Sequence, residues 1–132
     1  MLITPNFSTE EMHCNCSYNC GQDEMNDEFM RMLQELREQA GFAFRISSGR
    51  RCQLHNQDIS SHKNPAGIHT FGKAVDILTG HINTTLVLNL VKQAQDIGFT
   101  GLGLNFRGNR KSRFLHIDNR DSGFSPPAIW TY

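Results

Sequence analysis

The chain has 132 residues, room for one domain with a core of its own and too few for two ordinary ones, so a single domain over 1–132 is expected. Its 13 Lys and Arg balance 13 Asp and Glu, mixed along the chain; this gives no basic surface for nucleic acid and none for anionic lipid. The opening Met1-Leu2-Ile3-Thr4-Pro5-Asn6 has neither a basic nor a long apolar segment, and no run approaches a membrane span, so neither export signal nor membrane anchor is expected, and the protein is read as a monomer.

Residues 1 to 25 read as irregular, with one helical turn in Phe7–Met12. Cys14, Cys16 and Cys20 cluster here, and Cys52 stands apart. In a reducing compartment four such thiols could hold a structural metal, with His13 as a spare ligand; disulfides or plain thiols remain open. Asn26 then caps a helix that runs to Ala40, with Asp27 and Glu28 at its positive end, an apolar stripe of Phe29, Leu33, Leu36 and Ala40, and Gly41 beyond its end. Ala43–Ser47 alternates as a strand. From Ser48 to His69 the chain is polar, reads as a long loop, and contains the turn residues Asn64-Pro65-Ala66-Gly67. Ala74–Leu78 reads as a short strand. Asn83 caps a second helix, with Leu86, Leu90, Val91, Ala94 and Ile97 at helical spacing and Gly98 closing it. Gly101–Leu104 and Arg113–Asp118 read as hairpin strands around a turn at Arg107–Arg110. Two helices flanking a small antiparallel sheet make the fold α+β.

The residues that carry chemistry are His69 and Asp76, with six residues between them. On one helix they would lie roughly 10 Å apart, too far for one ion, so the chain must fold back, and Gly72 permits it. A borderline nitrogen and a hard oxygen suit zinc, and His116 is the best third ligand, which leaves a fourth position open. On a strand His116 and Asp118 share one face, about 7 Å apart. Asp118 could then take a proton from water and return it to a leaving amine. His62, at the same interval before His69, is the strongest rival ligand; His55 and His81 are weaker. Arg50 and Arg51, at a strand end, suit a forked grip on a carboxylate.

His69-Thr70-Phe71-Gly72-Lys73-Ala74-Val75-Asp76 resembles the His-x-x-Gly-x-Ala-x-Asp signature of the zinc D-Ala-D-Ala carboxypeptidase family, within the superfamily shared by lysostaphin and the sonic hedgehog signalling domain. Ser48-Gly49-Arg50-Arg51-Cys52 with His55-Asn56 resembles that family's Ser-Gly-Tyr-Arg-Cys segment and nearby His-Asn. Gly101–Leu104 and Phe114–Asp118 resemble its Gly-x-Gly and Phe-x-His-x-Asp strands, the region of Cys14 and Cys16 its cysteine-bearing N-terminal segment, and Ile129–Tyr132 the ending of its small members. The resemblance implies His69, Asp76 and His116 as zinc ligands, Arg51 as the group that holds a peptide's terminal carboxylate, and a phage or prophage peptidase that cuts peptidoglycan stem or cross-link peptides. Such an enzyme would reach the wall after release by another factor or within a phage particle. Two departures stand out. Arg113 occupies the position, three before the last histidine, where many members carry the catalytic carboxylate, which hands that part to Asp118. Gly67, Ile68 and Arg50 replace a serine and a tyrosine that relatives often place near the first ligand and in the arginine segment. The alternative is a hedgehog-like binding or structural domain that keeps zinc without hydrolysis.

Overall fold

A computed structural model describes residues 1–59, 67–121 and 126–132. Among these, a small hairpin of β1 (Leu2–Thr4) and β2 (Phe7–Ser8) leads into the one-turn α1 (Thr9–Met12). There follow α2 (Asp27–Ala40), β3 (Ile46–Ser48), α3 (Gln53–Ile59), a 3-10 turn (Ile68–Phe71), β4 (Ala74–Leu78), α4 (Thr84–Ile97), β5 (Gly101–Asn105), β6 (Phe114–Asp118) and β7 (Ala128–Thr131). The main sheet has the order β3-β4-β6-β5-β7. Its pairs are antiparallel except β5 with β7, which run parallel. The architecture is α+β, as expected.

Both long helices start and stop where their caps direct. The Oδ1 atoms of Asn26 and Asn83 accept from the third backbone N–H beyond them, at 2.9 Å each. Caps of this kind stabilise a helix by about 1 kcal/mol. Gly41 and Gly98 close the helices at φ 76° and 112°. The apolar stripes of α2 and α4 cover one face of the sheet. Phe29, Leu33, Leu36, Leu90 and Ala94 pack with Val75, Ile77, Leu102, Leu115 and Ile117 into a single buried cluster, in which Phe29 meets Phe99 edge to face at 5.6 Å. Each large side chain fully buried there contributes about 1.5–3 kcal/mol. Strand alternation then sends Asp76, His116 and Asp118 to the opposite face.

Three elements differ from expectation. The polar stretch after Cys52 is helical over Gln53–Ile59, with Asn56 its one buried side chain. A helix that buries a polar group carries no apolar period. β1 and β2, of 3 and 2 residues, are too short for alternation to register. The expected strand Ala43–Ser47 is shifted to Ile46–Ser48, where pairing with β4 is irregular and brings Ser48 opposite Asp76. His62 and the turn residues Asn64, Pro65 and Ala66 lie outside the described residues.

Candidate metal centre

The site is built as rows across the sheet. Antiparallel pairing sets Asp76 opposite His116 and Ala74 opposite Asp118. On the other side of β6, Gly103 lies opposite His116 and Gly101 opposite Asp118. β7 adds Trp130 beside Gly103 and Ala128 beside Gly101. One row therefore reads Ser48, Asp76, His116, Gly103, Trp130, and the next Ala74, Asp118, Gly101, Ala128. Residues directly opposite hold their Cβ atoms about 4.5–5.5 Å apart, so each row concentrates its chemistry. The Gly-x-Gly pattern makes room for it. A Cβ on Gly101 would fall 2.1 Å from Asp118 Oδ1, and one on Gly103 2.7 Å from the Trp130 ring.

His69 reaches this face from the 3-10 turn. Gly72 ends the turn at φ 69° and folds the chain back into β4. A side chain there would also press on Glu24 and Met25, 2.9 and 3.0 Å from its Cβ. The expected reversal between His69 and Asp76 is thus present. His69 Nε2 lies 3.2 Å from His116 Nδ1 and 3.4 Å from Asp76 Oδ1, and His116 Nδ1 lies 3.0 Å from that same oxygen. A tetrahedral zinc ion with bonds of about 2.0–2.1 Å separates its ligand atoms by about 3.3–3.4 Å. The three donor atoms fit that ion in type and spacing, and all three side chains are buried.

Each of the three side chains is held from behind. His69 Nδ1 donates to Gly49 O at 2.8 Å, which leaves Nε2 with the free lone pair. His116 Nε2 faces Asp118 Oδ2 at 2.7 Å, so Nδ1 is the atom it could offer a metal. Arg51 Nη2 donates to Asp76 Oδ2 at 3.0 Å and leaves Oδ1 to the site. Arg51 is itself fixed by Ser48 Oγ at 2.9 Å and Asn56 Oδ1 at 3.2 Å. Partners of this kind fix ring orientation and raise ligand basicity.

The electrostatics follow from burial and pairing. Burial alone would raise the Asp76 carboxyl, but His69 and His116 outweigh it and hold the group well below the ordinary carboxylate range. Burial pushes His69 down, towards the neutral ligand form. Burial also works against a charged His116, yet Asp118 and Asp76 on either side raise it above an ordinary histidine. Asp118 is lowered against its burial by His116 and Arg120.

The structure brings His69, Asp76, His116, Asp118 and Arg51 together, and gives the last two places that their spacing could not show. Asp118 is fully buried behind His116, and Arg120 donates to both its oxygens, at 2.6 to 3.2 Å. Arg51 spends donors on Asp76, Ser48 and Asn56. Arg120 was not anticipated, and Trp130 only as part of the closing Ile129–Tyr132 stretch, without a place at the site. The guanidinium of Arg120 stacks 4.6 Å from the Trp130 ring centroid, and that ring lies 5.1 Å from His116. Their signals were thin: an arginine two residues after Asp118, and the chain's one tryptophan. Arg113 braces the β5–β6 connection through Gly108 O, at 3.1 Å. His13 and His81 are exposed, and His55 is half-buried on α3. At the far side of Arg51, the sulfurs of Cys14, Cys16, Cys20 and Cys52 lie within 4.8 Å of one another, and no disulfide joins them.

An α+β domain that brings Asp76 and His116 from adjacent strands, and His69 from the turn before them, to one buried point, each braced by a further partner, has the build of a metal-binding domain. The chain belongs to the peptidase M15 family: the model of that family matches residues 5–118, from the N-terminal hairpin to Asp118. This is the zinc D-Ala-D-Ala carboxypeptidase-like family that the motifs resemble. No curated protein matches the chain.

Proposed function

We propose that the protein is a single-domain zinc peptidase that hydrolyses an amide in bacterial peptidoglycan stem or cross-link peptides, as a D,D-carboxypeptidase or endopeptidase of endolysin type. The observation that carries this is the convergence of His69 Nε2, Asp76 Oδ1 and His116 Nδ1 within 3.0 to 3.4 Å, on residues that match the family's signature. Zinc held there supplies Lewis acidity, which polarises a carbonyl and acidifies water near neutral pH. The chain's own groups then position. Gly49 and Asp118 hold the two imidazoles in the tautomers that present a lone pair. Arg51 holds Asp76 with one oxygen free. Phe114, Trp130 and Tyr132 share the face of His116, and the Tyr132 ring meets the other two at steep angles, with centroids 5.1 and 6.4 Å apart. They offer an aromatic wall to the apolar side chains of a peptide.

The sequence assigned Asp118 the proton and Arg51 the substrate carboxylate. The geometry favours orienting parts for both, since each is committed to a metal ligand. The same commitment supports a second reading, a zinc-bearing binding domain without hydrolysis: both carboxylates of the site are engaged, and Arg113 stands where a free one is usual in the family. Incubation of zinc-loaded protein with purified peptidoglycan separates the two readings. Release of new amino groups, lost in His116→Ala, supports the peptidase. Full zinc occupancy without release supports the binding domain. No helix among the described residues is long and apolar enough to cross a membrane; we place the site of action at the cell wall, reached through another factor or a phage particle.

A further inference from the structure

We propose that Cys14, Cys16, Cys20 and Cys52 hold a second zinc ion as four thiolates, and that this ion fixes the segment that orients the first centre. Four sulfurs mutually within 4.8 Å are close to what one tetrahedral ion requires, since zinc–sulfur bonds of about 2.3 Å place sulfurs about 3.8 Å apart. Disulfides would draw the sulfurs together in pairs and would not require all four to converge. Backbone amides add an independent sign. Cys52 N donates to Cys14 Sγ at 3.3 Å, and His55 N and Gln22 N donate to Cys52 and Cys20 Sγ at 3.4 Å each. Three of the four sulfurs thus receive an N–H, the hydrogen bonding that suits a thiolate ligand. Asn19 and Gly21, both at positive φ, turn the chain tightly enough to return Cys20 to within 3.4 Å of Cys16. Binding would form four Zn–S bonds and release up to four thiol protons to solvent, with no electron transferred.

The position of Cys52 gives the ion a purpose. It follows Arg51, which holds Asp76, and it lies three residues after Gly49, whose carbonyl holds His69. Arg50 N also donates to Met12 O at 2.8 Å. Gly49 is pressed against Met12, whose Cα would be 2.9 Å from an added Cβ. An ion joining Cys14, Cys16 and Cys20 to Cys52 would therefore clamp the strand end that carries both orienting groups. This holds whether or not the first centre is hydrolytic.

Cobalt titration of the reduced, metal-free full chain tests the proposal. Two equivalents should bind, one of them with the near-ultraviolet thiolate-to-cobalt band and strong red absorption of tetrahedral sulfur ligation. His69→Ala should keep that spectrum and one equivalent, and Cys16→Ser should lose it. In Cys16→Ser, the His69 site should bind zinc about 10-fold or more weakly by chelator competition. Absence of thiolate bands in both the wild type and His69→Ala would overturn the second site, as would mass spectrometry showing two disulfides. An unchanged zinc affinity at the His69 site of Cys16→Ser would overturn the clamp.

Discussion

Replacing Asp118 by asparagine separates two parts that a carboxylate can play beside a metal ligand. Asparagine keeps the volume and an acceptor for His116 Nε2, 2.7 Å away in the native protein, but loses the charge that makes this bond strong. Loss of such an outer partner typically costs 10–100-fold in metal affinity, or about 1.4–2.7 kcal/mol. Stability falls too, because Arg120 loses the charge of Asp118. Breaking a fully buried pair costs about 3–5 kcal/mol. Arg120 keeps 14% of its side chain exposed and stays stacked on Trp130, so a loss at or below the low end is expected. Chelator competition measures the affinity, urea unfolding of the zinc form the stability, and initial rates at rising zinc the turnover. The rate should return to within a few-fold of wild type once zinc saturates. A folded, fully loaded Asp118→Asn that stays slower by about 10²–10⁴-fold, the range of a lost general acid or base, would refute the orienting part and restore Asp118 as proton carrier.

Gly101→Ala should weaken zinc binding at least as much, because its Cβ would fall 2.1 Å from Asp118 Oδ1 and force either carboxylate or strand to move; the chelator assay reads it, with about 1–3 kcal/mol lost in unfolding. Arg51→Lys should lower zinc affinity by about 10-fold by losing the fork that holds Asp76. A raised KM for carboxylate-ended peptides at unchanged zinc affinity would instead return Arg51 to the substrate. In metal-free protein Asp118 and Asp76 raise the pKa of His116 despite its burial, so zinc binding competes with a proton there at pH values below the raised one. Zinc affinity should fall as pH drops through this raised value, and calorimetry in buffers of different ionisation enthalpy should register proton release.

What the sequence revealed, and what it hid, follows the reach of each signal. Asn26, Gly41, Asn83 and Gly98 act on their own helix ends, so both helices could be read to the residue. Gly72 acts between His69 and Asp76, so the reversal that joins them was legible too, and strand parity placed His116 and Asp118 on one face. Parity could not show which side of the His116 ring faces His69 and Asp76. That depends on the register of β6 with β4 and β5, which sets Asp76 on one side and opens space above Gly101 for Asp118 on the other. Arg51 could be read as a cation suited to grip a carboxylate, but that the carboxylate is Asp76 is visible only in the folded chain. Helix α3 escaped notice because its buried group is Asn56, and the convergence of Cys52 with Cys14 joins residues too distant in the chain for spacing to decide between metal, disulfide and thiol.

The central claim, hydrolysis at the His69, Asp76 and His116 centre, is tested most directly by mass spectrometry of a defined muropeptide after incubation with zinc-loaded protein in ¹⁸O-labelled water. The account predicts two fragments, one labelled oxygen in the new carboxyl group, and no product with zinc-free protein or with His116→Ala. An intact, unlabelled muropeptide beside protein whose centre is fully occupied by zinc would contradict it.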